Sequence, residues 1–456
     1  MCQPDLEPIL MALNAEQYPD VHLNLNVRGL EQSATLAISE RCAQLRKEGR
    51  DVYRLGLGQP PFPVAEPVIE ELRANAYQRE YLPVKGLPAL REAVARYHRR
   101  QEGIEYARED VLIGPGSKEL MFLIQLVYYG DLVIPTPSWV SYAPQATIIG
   151  RHIRWVPTKF EDGWRITPEG LGELCHKDPT RPRILILNYP NNPSGTTYGN
   201  AELQELAKVA RRYKIILLSD EIYGETQFNG KHQSIARYYP EGTIISAGLS
   251  KWCGAGGWRL GTFTFPNNLY WLLDAVSVVA SETFTSTSAP IQHAAVRAYE
   301  GGIEIERYLW NSRRILKALG TSLAARLQRI GVDVPVPEGG FYLFASFNNF
   351  RKKLEQRGIT TDTELCNRLL EETGVAVLPG SQFGRPAEEL TARIAFVDFD
   401  GARALVSAEA VPLEKELSED FVSGHCNRVV VAVEHLCAWL ENGEKAPPDH
   451  TDFRSK

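Results

Sequence analysis

From residue 111 to residue 265 short apolar runs alternate with stretches of helical periodicity, and that alternation restricts the fold more than any other feature of the chain. The runs are Val111–Ile113, Leu132–Ile134, Ile153–Val156, Ile184–Leu187, Ile215–Leu218, Thr243–Ser246 and Leu260–Phe265, with helices expected from Ser117 and over Ala201–Tyr213. Strands that alternate with helices in this way predict a mostly parallel sheet covered by helices on both faces, an α/β architecture.

Outside that block the pattern changes. A helix over Ser33–Glu48 ends at Gly49, a short strand covers Val52–Leu57, and GQPPFP, with prolines at 60, 61 and 63, must be an exposed turn. Pro88 opens a helix whose apolar stripe is Leu90, Ala93, Val94 and Tyr97. Long helical stretches run from about Leu269 to Arg329. Strands are then expected at Val332–Val336, Gly340–Phe347, Val375–Leu378 and Arg393–Val397, around one helix at Thr363–Thr373. This second region reads as a smaller α+β unit. The expected division is therefore a large unit over 61–300, a small unit made of 1–60 together with 301–442, and a polar tail over 443–456, containing Pro447 and Pro448, that is expected to be disordered.

A chain of 456 residues with a net charge of -6 gives no reason to expect a polyanionic partner, so nucleic acid and anionic membrane surfaces are disfavoured. Seven scattered cysteines, none in a CxxC pair, suggest neither a zinc site nor a disulfide framework. No metal is expected. No apolar stretch reaches the roughly 20 residues of a membrane span, and the first residues lack the layout of a signal peptide. A cytoplasmic location is the expectation.

In open parallel sheets ligands bind beyond the carboxyl ends of the strands, which directs attention to the residues just after each apolar run. After Thr243–Ser246 comes SKWCGAGGWRLG, residues 250–261. Glycines at 254, 256 and 257 permit close backbone approach, while the Ser250 hydroxyl and the Arg259 guanidinium suit a phosphate. Lys251 beside such a cradle is either a phosphate-binding point charge or an amine that forms a Schiff base with a carbonyl cofactor. Walker spacing is absent, which favours the second. After Ile113, GPGSKEL places Gly116, Ser117 and Lys118 at a helix start suited to an anion. After Ile134, PTPSWVSY offers the face of Trp139. After Leu187, NYPNNPSG projects the Asn192 amide from a rigid turn, and after Ser219, Asp220 ends a buried run three residues before Tyr223. A buried carboxylate needs a partner to stay charged, and a protonated pyridine nitrogen is one. Each signal has a plain alternative: an N-cap serine, a core tryptophan, an Asx turn, a loop carboxylate. Their order along one chain is what argues for a site.

The motifs SATLAI at 33–38, YLPVKGLPALREAV at 81–94, PNNPSG at 190–195, SDEIYG at 219–224, SKxxGxGGWRLG at 250–261, EGGFYLF at 338–344 and VLPGSQFG at 377–384 make the chain resemble a class I aminotransferase of the fold-type I pyridoxal phosphate enzymes. The resemblance spans about Ser33 to Gly401. It implies that Lys251 carries the cofactor and shuttles the proton, that Asp220 keeps the pyridine nitrogen protonated, and that Tyr223 and Asn192 hydrogen-bond the phenolic oxygen. Trp139 would stack on the ring, while Arg259, Ser250 and the Gly116–Lys118 turn would hold the phosphate. It also implies an α-carboxylate fork at Arg393, with Gly58 meeting the same carboxylate by its backbone. Tyr81 would reach the phosphate in the neighbouring subunit, making the protein a homodimer with shared sites. Tyr142, Trp139 and Phe62 are candidates for the substrate side chain, and Asn192 is expected to touch the substrate as well. Gly248 stands where some relatives have a serine, which leaves the phosphate contact to Ser250.

The activity implied is transfer of an amino group from an L-amino acid to a 2-oxo acid by a ping-pong route. The same fold and cofactor also support elimination, cyclisation or oxidation. A ligand-sensing relative would carry a DNA-binding domain, for which the match beginning near residue 33 leaves no room. Residues 402–425 read as an insertion before the last helix, and Tyr18–Leu30, with His22 and Arg28, as a segment that folds over the cleft.

Overall fold

The computed structural model describes residues 22–30 and 34–443, so the expected disorder beyond 443 lies outside the described residues. The alternation seen in the sequence becomes a seven-stranded sheet of order β2-β8-β7-β6-β5-β3-β4. Its strands are β2 (Val111–Gly114), β3 (Asp131–Thr136), β4 (Ile153–Pro157), β5 (Arg183–Asn188), β6 (Ile216–Asp220), β7 (Thr243–Gly248) and β8 (Gly261–Thr264), after a two-residue β1 (Tyr53–Arg54) near the N-terminus. In this sheet β8 runs opposite to the other six strands.

Continuous apolar runs form these strands because both faces are covered. On β5, Ile184 and Ile186 pack with Leu120, Ile124 and Leu273 from the helices Ser117–Val127 and Tyr270–Thr283. The alternate residues Leu185 and Leu187 pack with Leu171, Leu203 and Leu206 from the helices Pro168–His176 and Asn200–Arg212 on the other side. Side chains alternate across a strand, so two buried faces require apolar residues at every position.

A three-stranded antiparallel sheet of order β11-β12-β9 forms the second layer, from β9 (Tyr342–Ser346), β11 (Leu378–Pro379) and β12 (Thr391–Ala395). Beside it β1 pairs in parallel with β10 (Val375–Ala376), which ties the chain before residue 60 to the C-terminal region. The helix Ile303–Arg329 serves both layers: Ile305 and Leu309 join the core against the large sheet, while Ile315, Leu319, Leu323 and Leu327 join the core of the small one.

Val332–Val336 is not a strand; Asp333 makes only an isolated bridge to Ser346, because Pro335 and Pro337 remove the N–H groups a ladder needs. Residues 402–425 belong to two helices, Gly401–Glu409 and Glu419–His425, joined by a loop clamped to the long helix. There Arg314 donates to the carbonyls of Val411, Pro412 and Lys415 at 3.2, 3.0 and 2.7 Å. Of the N-terminal segment, residues 22–30 are exposed, and Asn26 lies beside Gly150 at the edge of the large sheet, outside the cavity lining.

Candidate active site

Sheet register brings three strand ends together. Asp220, the last residue of β6, stands opposite Asn188 on β5 and Ser246 on β7. The Asp220 carboxylate is 3% exposed and accepts from the Tyr142 hydroxyl at 2.5 Å and from Ile222 N and Ser246 Oγ, both at 3.4 Å. Burial disfavours its ionised form and pushes its pKa up to about 6, against the opposing pull of those three donors. Asn188 donates to the Asp220 carbonyl at 2.9 Å and accepts from Asn192 N at 2.7 Å, so it binds the NYPNNPSG turn to the strand end.

Lys251 lies in the turn just beyond β7, and its Nζ donates to the carbonyl of Gly58 at 2.7 Å. Burial, with the positive charges of Arg393, Arg259 and Lys118 and against the opposing pull of Asp220, lowers its pKa to about 8. Arg259 holds a left-handed backbone at φ 56, uncommon without glycine, and its guanidinium donates to the carbonyls of Gly256 and Pro115 at 2.9 and 3.4 Å. Close packing explains the facing glycines. A Cβ at Gly116, itself at φ +93, would stand 2.2 Å from the Arg259 guanidinium, and one at Gly261 would stand 2.1 Å from Ser117 N. The start of the helix Ser117–Val127, with its unpaired N–H groups, is thereby pressed against Arg259. Lys118 rests 5.2 Å over the Trp139 ring, and burial followed by repulsion from Arg259 lowers its pKa.

A third group approaches from the small sheet. Arg393, on β12 and 2% exposed, donates to Asn192 Oδ1 at 3.0 Å and to the Gly56 carbonyl at 2.6 Å. Its guanidinium stacks on the rings of Tyr342 and Phe383 at 4.7 and 5.0 Å. Its Nε is buried without a hydrogen-bond partner. The Tyr223 hydroxyl lies 2.8 Å from that of Tyr342 and 3.5 Å from the Asn192 amide.

A cavity of about 420 Å³ collects most of the expected residues: Ser117, Lys118, Trp139, Asn192, Asp220, Tyr223, Ser250, Lys251 and Arg259 line it, with Asn188 and Ile222. Gly116 backs its cationic end, Gly58 meets Lys251, and Arg393 reaches it through Asn192. Tyr142 requires correction. Expected beside a substrate side chain, it is instead 1% exposed with its hydroxyl on Asp220, because it starts the helix Tyr142–Ile148, which is packed into the core of the large sheet. Tyr81 is 90% exposed and lines no part of this chain's own cavity. Tyr342 and Asn188 gain no role from sequence alone. Asn188 does carry the signal used elsewhere, as the first residue after an apolar run, whereas Tyr342 lies inside the EGGFYLF motif with nothing local to single it out.

The chemistry of the site is set by its polarity. One end gathers a helix start and the mutually repelling cations Lys118, Arg259 and Lys251, which suits an anionic arm; the other presents a buried carboxylate, which suits a cationic ring atom. Trp139 and Ile222 flank the space between.

Comparison with known proteins agrees. Residues 50–408 match the family described as aminotransferase class I and II. The chain is 34% identical over 370 residues to an aspartate aminotransferase of Geobacillus stearothermophilus, covering 79% of this chain and 91% of that protein. It is 32% identical over 378 residues to an asparagine–oxo-acid transaminase of Streptococcus mutans, covering 80% and 92%. Among solved structures, the aspartate aminotransferase of Thermus thermophilus with maleate superposes with a TM-score of 0.76 at 28% identity, covering 86% of this chain and 99% of that one. Relatives that transfer amino groups favour transamination over elimination, cyclisation or oxidation. With the fold, the polarity of the cavity and these matches in agreement, the chain belongs to the class I and II aminotransferases.

Proposed function

We propose that the chain transfers the amino group of an L-amino acid to a 2-oxo acid with pyridoxal phosphate held in the cavity between Lys118, Arg259 and Asp220. The observation that carries this reading is that Lys251 and Asp220, from separate segments, line one cavity, with Arg393 from the small sheet hydrogen-bonded to Asn192 in its wall. When bound, pyridoxal phosphate supplies a carbonyl that takes up the substrate's amino group and a ring that withdraws electrons from its Cα.

Ser117, Lys118, Ser250 and Arg259, with the backbone at Gly116, would hold the phosphate, and Trp139 would cover the ring. Asp220, its pKa at about 6, is ionised at neutral pH and would face the ring nitrogen's proton. Tyr223 and Asn192 would hold the phenolic oxygen. Lys251 would carry the cofactor and then act as base and acid at the substrate Cα; a pKa of about 8 keeps its neutral amine within reach of working pH. Arg393 would clamp the α-carboxylate with its planar fork, assisted by Gly58. The relatives from Geobacillus and Streptococcus are named for aspartate and asparagine, which makes these the first donors to test.

The reading includes a homodimer in which Tyr81 reaches the partner's phosphate, a role supported by its exposure on this chain. It also includes the division into a large unit over 61–300 and a small one made of 1–60 with 301–442, supported by separate hydrophobic cores, and a cytoplasmic location. Among the described residues no helix is long and apolar enough to cross a membrane.

A donor screen on purified protein, following the cofactor's absorbance, tests the proposal. Donor alone should convert one equivalent of cofactor and stop until a 2-oxo acid is added, and Lys251→Ala should abolish the change. Continued turnover without any oxo acid would reject it.

A further inference from the structure

Tyr342 is buried and, like Asn192, touches both the small-sheet arginine and the tyrosine just beyond β6. It starts β9, where Arg393 pairs with Phe344, two residues further along. Residues two apart share a strand face, so Tyr342 is the diagonal neighbour of Arg393 on the same face of the sheet. That register puts the guanidinium 4.7 Å over the Tyr342 ring, close enough for cation–π attraction. The hydroxyl at the far end of the same ring lies 2.8 Å from the Tyr223 hydroxyl. Its position is confined on the third side as well, because a Cβ at Gly58 would stand 2.0 Å from the Tyr342 oxygen.

Resting on the aminotransferase reading above, we propose that Tyr342 is a positioning residue that couples carboxylate capture at Arg393 to the hydrogen bonding of Tyr223. Its ring carries the arginine and its hydroxyl holds the tyrosine. Burial before all else holds both phenols above the ordinary tyrosine range, so both keep their protons and either hydroxyl can donate across the 2.8 Å contact. The coupling uses the order in which Tyr223 donates to Tyr342 and accepts from the Asn192 amide, because in that order the proton of Tyr223 is withheld from the cofactor's phenolic oxygen. A carboxylate arriving at Arg393 neutralises the charge over the Tyr342 ring and so shifts the balance between this order and the one that leaves the Tyr223 proton to the cofactor. The ionisable groups around the pair are Arg393 on the Tyr342 side, and Lys251, with its Nζ 5.6 Å from the Tyr223 ring, and Asp220 on the Tyr223 side.

Tyr342→Phe removes the hydroxyl and keeps the ring. In the cofactor-loaded variant the absorbance titration midpoint should fall by about half a pH unit or more, because a freed Tyr223 donates to the phenolic oxygen and favours its anionic form. Affinity for maleate, used as a non-reacting dicarboxylate, should stay within about threefold of the unsubstituted protein, since Arg393 keeps its stacking partner. Tyr342→Leu, which also lacks the ring, should weaken maleate by about tenfold or more. A Tyr342→Phe midpoint equal to that of the unsubstituted protein, or a Tyr342→Leu variant that binds maleate undiminished, overturns the coupling. If the unsubstituted protein takes up pyridoxal phosphate but shows no titration that maleate displaces, the coupling also fails. If it takes up no cofactor at all, the functional reading itself falls.

Discussion

The two ends of the site are equally buried and built in opposite ways. Asp220, 3% exposed, sits at a strand end between two register partners, and its carboxylate receives three donors from its own layer. Arg393, 2% exposed, projects from the small sheet, rests on two aromatic rings, and leaves Nε unpaired. A group held by several partners is fixed before a ligand arrives, while a buried donor without an acceptor is costly until one arrives, at about 1–3 kcal/mol. The difference teaches that the Asp220 end is set to orient a resident group and the Arg393 end to respond to a transient one. Variants at the two ends should therefore fail differently.

The sharpest separation comes from Lys251→Ala. Loss of the amine that carries the cofactor and moves the Cα proton should lower transamination by more than about 10⁴-fold. Maleate binding at Arg393 should survive in the pyridoxal phosphate-soaked variant, as calorimetry would show. A variant that lost both would join the two ends into a single unit.

Arg393→Lys should do the reverse. Lysine keeps the charge but not the planar fork, so KM for amino donors should rise by about 30-fold or more, while the absorbance of the bound cofactor stays near normal. Steady-state kinetics beside a spectrum decide it. An unchanged KM would place the α-carboxylate elsewhere.

Within the Asp220 end, Tyr142→Phe removes the shortest of three donors. Hydrogen bonds to charged groups contribute about 1.5–3 kcal/mol, so kcat should fall by about tenfold. Losing a donor raises a carboxylate pKa, so the acidic limb of the profile of pyridoxal phosphate affinity against pH, which reads the cofactor-free protein, should move upward from the region of pH 6. A profile that did not move would remove Tyr142 from the tuning of Asp220.

The same contrast decides what was legible in the sequence. Asp220, Asn192, Trp139 and Lys251 could be found because a strand buried on both faces leaves an uninterrupted apolar run, and the polar residue that breaks it marks the sheet's binding edge. Arg393 and Gly58 have no such local mark and came only through resemblance. Tyr342 acts through Phe344 register and a hydroxyl contact to a residue 119 positions away, neither of which any window of sequence displays. Sequence puts Tyr142 three residues from Trp139 without saying that the intervening turn buries it against the strand end. Val332–Val336 misled because its valines read as a strand while its prolines decided the matter.

The smallest expected effect concerns stability. In the folded chain Asp220 titrates at about 6 instead of the 3.8 of an exposed aspartate, so between these values the folded state binds more protons than the unfolded state. Stability contributed by this group is therefore full below about pH 3.8, declines as pH rises through the window, and above 6 the whole penalty of a buried charge is present. A difference of roughly two pH units corresponds to about 3 kcal/mol. Asp220→Asn keeps an oxygen for the Tyr142 hydroxyl and carries no charge, so cofactor-free protein with this substitution should melt higher than the parent by a few degrees at pH 7.5, and no higher at pH 4. Loading with pyridoxal phosphate should reverse the order at pH 7.5, because only the aspartate can pair with a protonated ring nitrogen. Melting curves of the two proteins at both pH values, with and without cofactor, give the answer, and a gain that persisted at pH 4 would trace the effect to packing instead of charge.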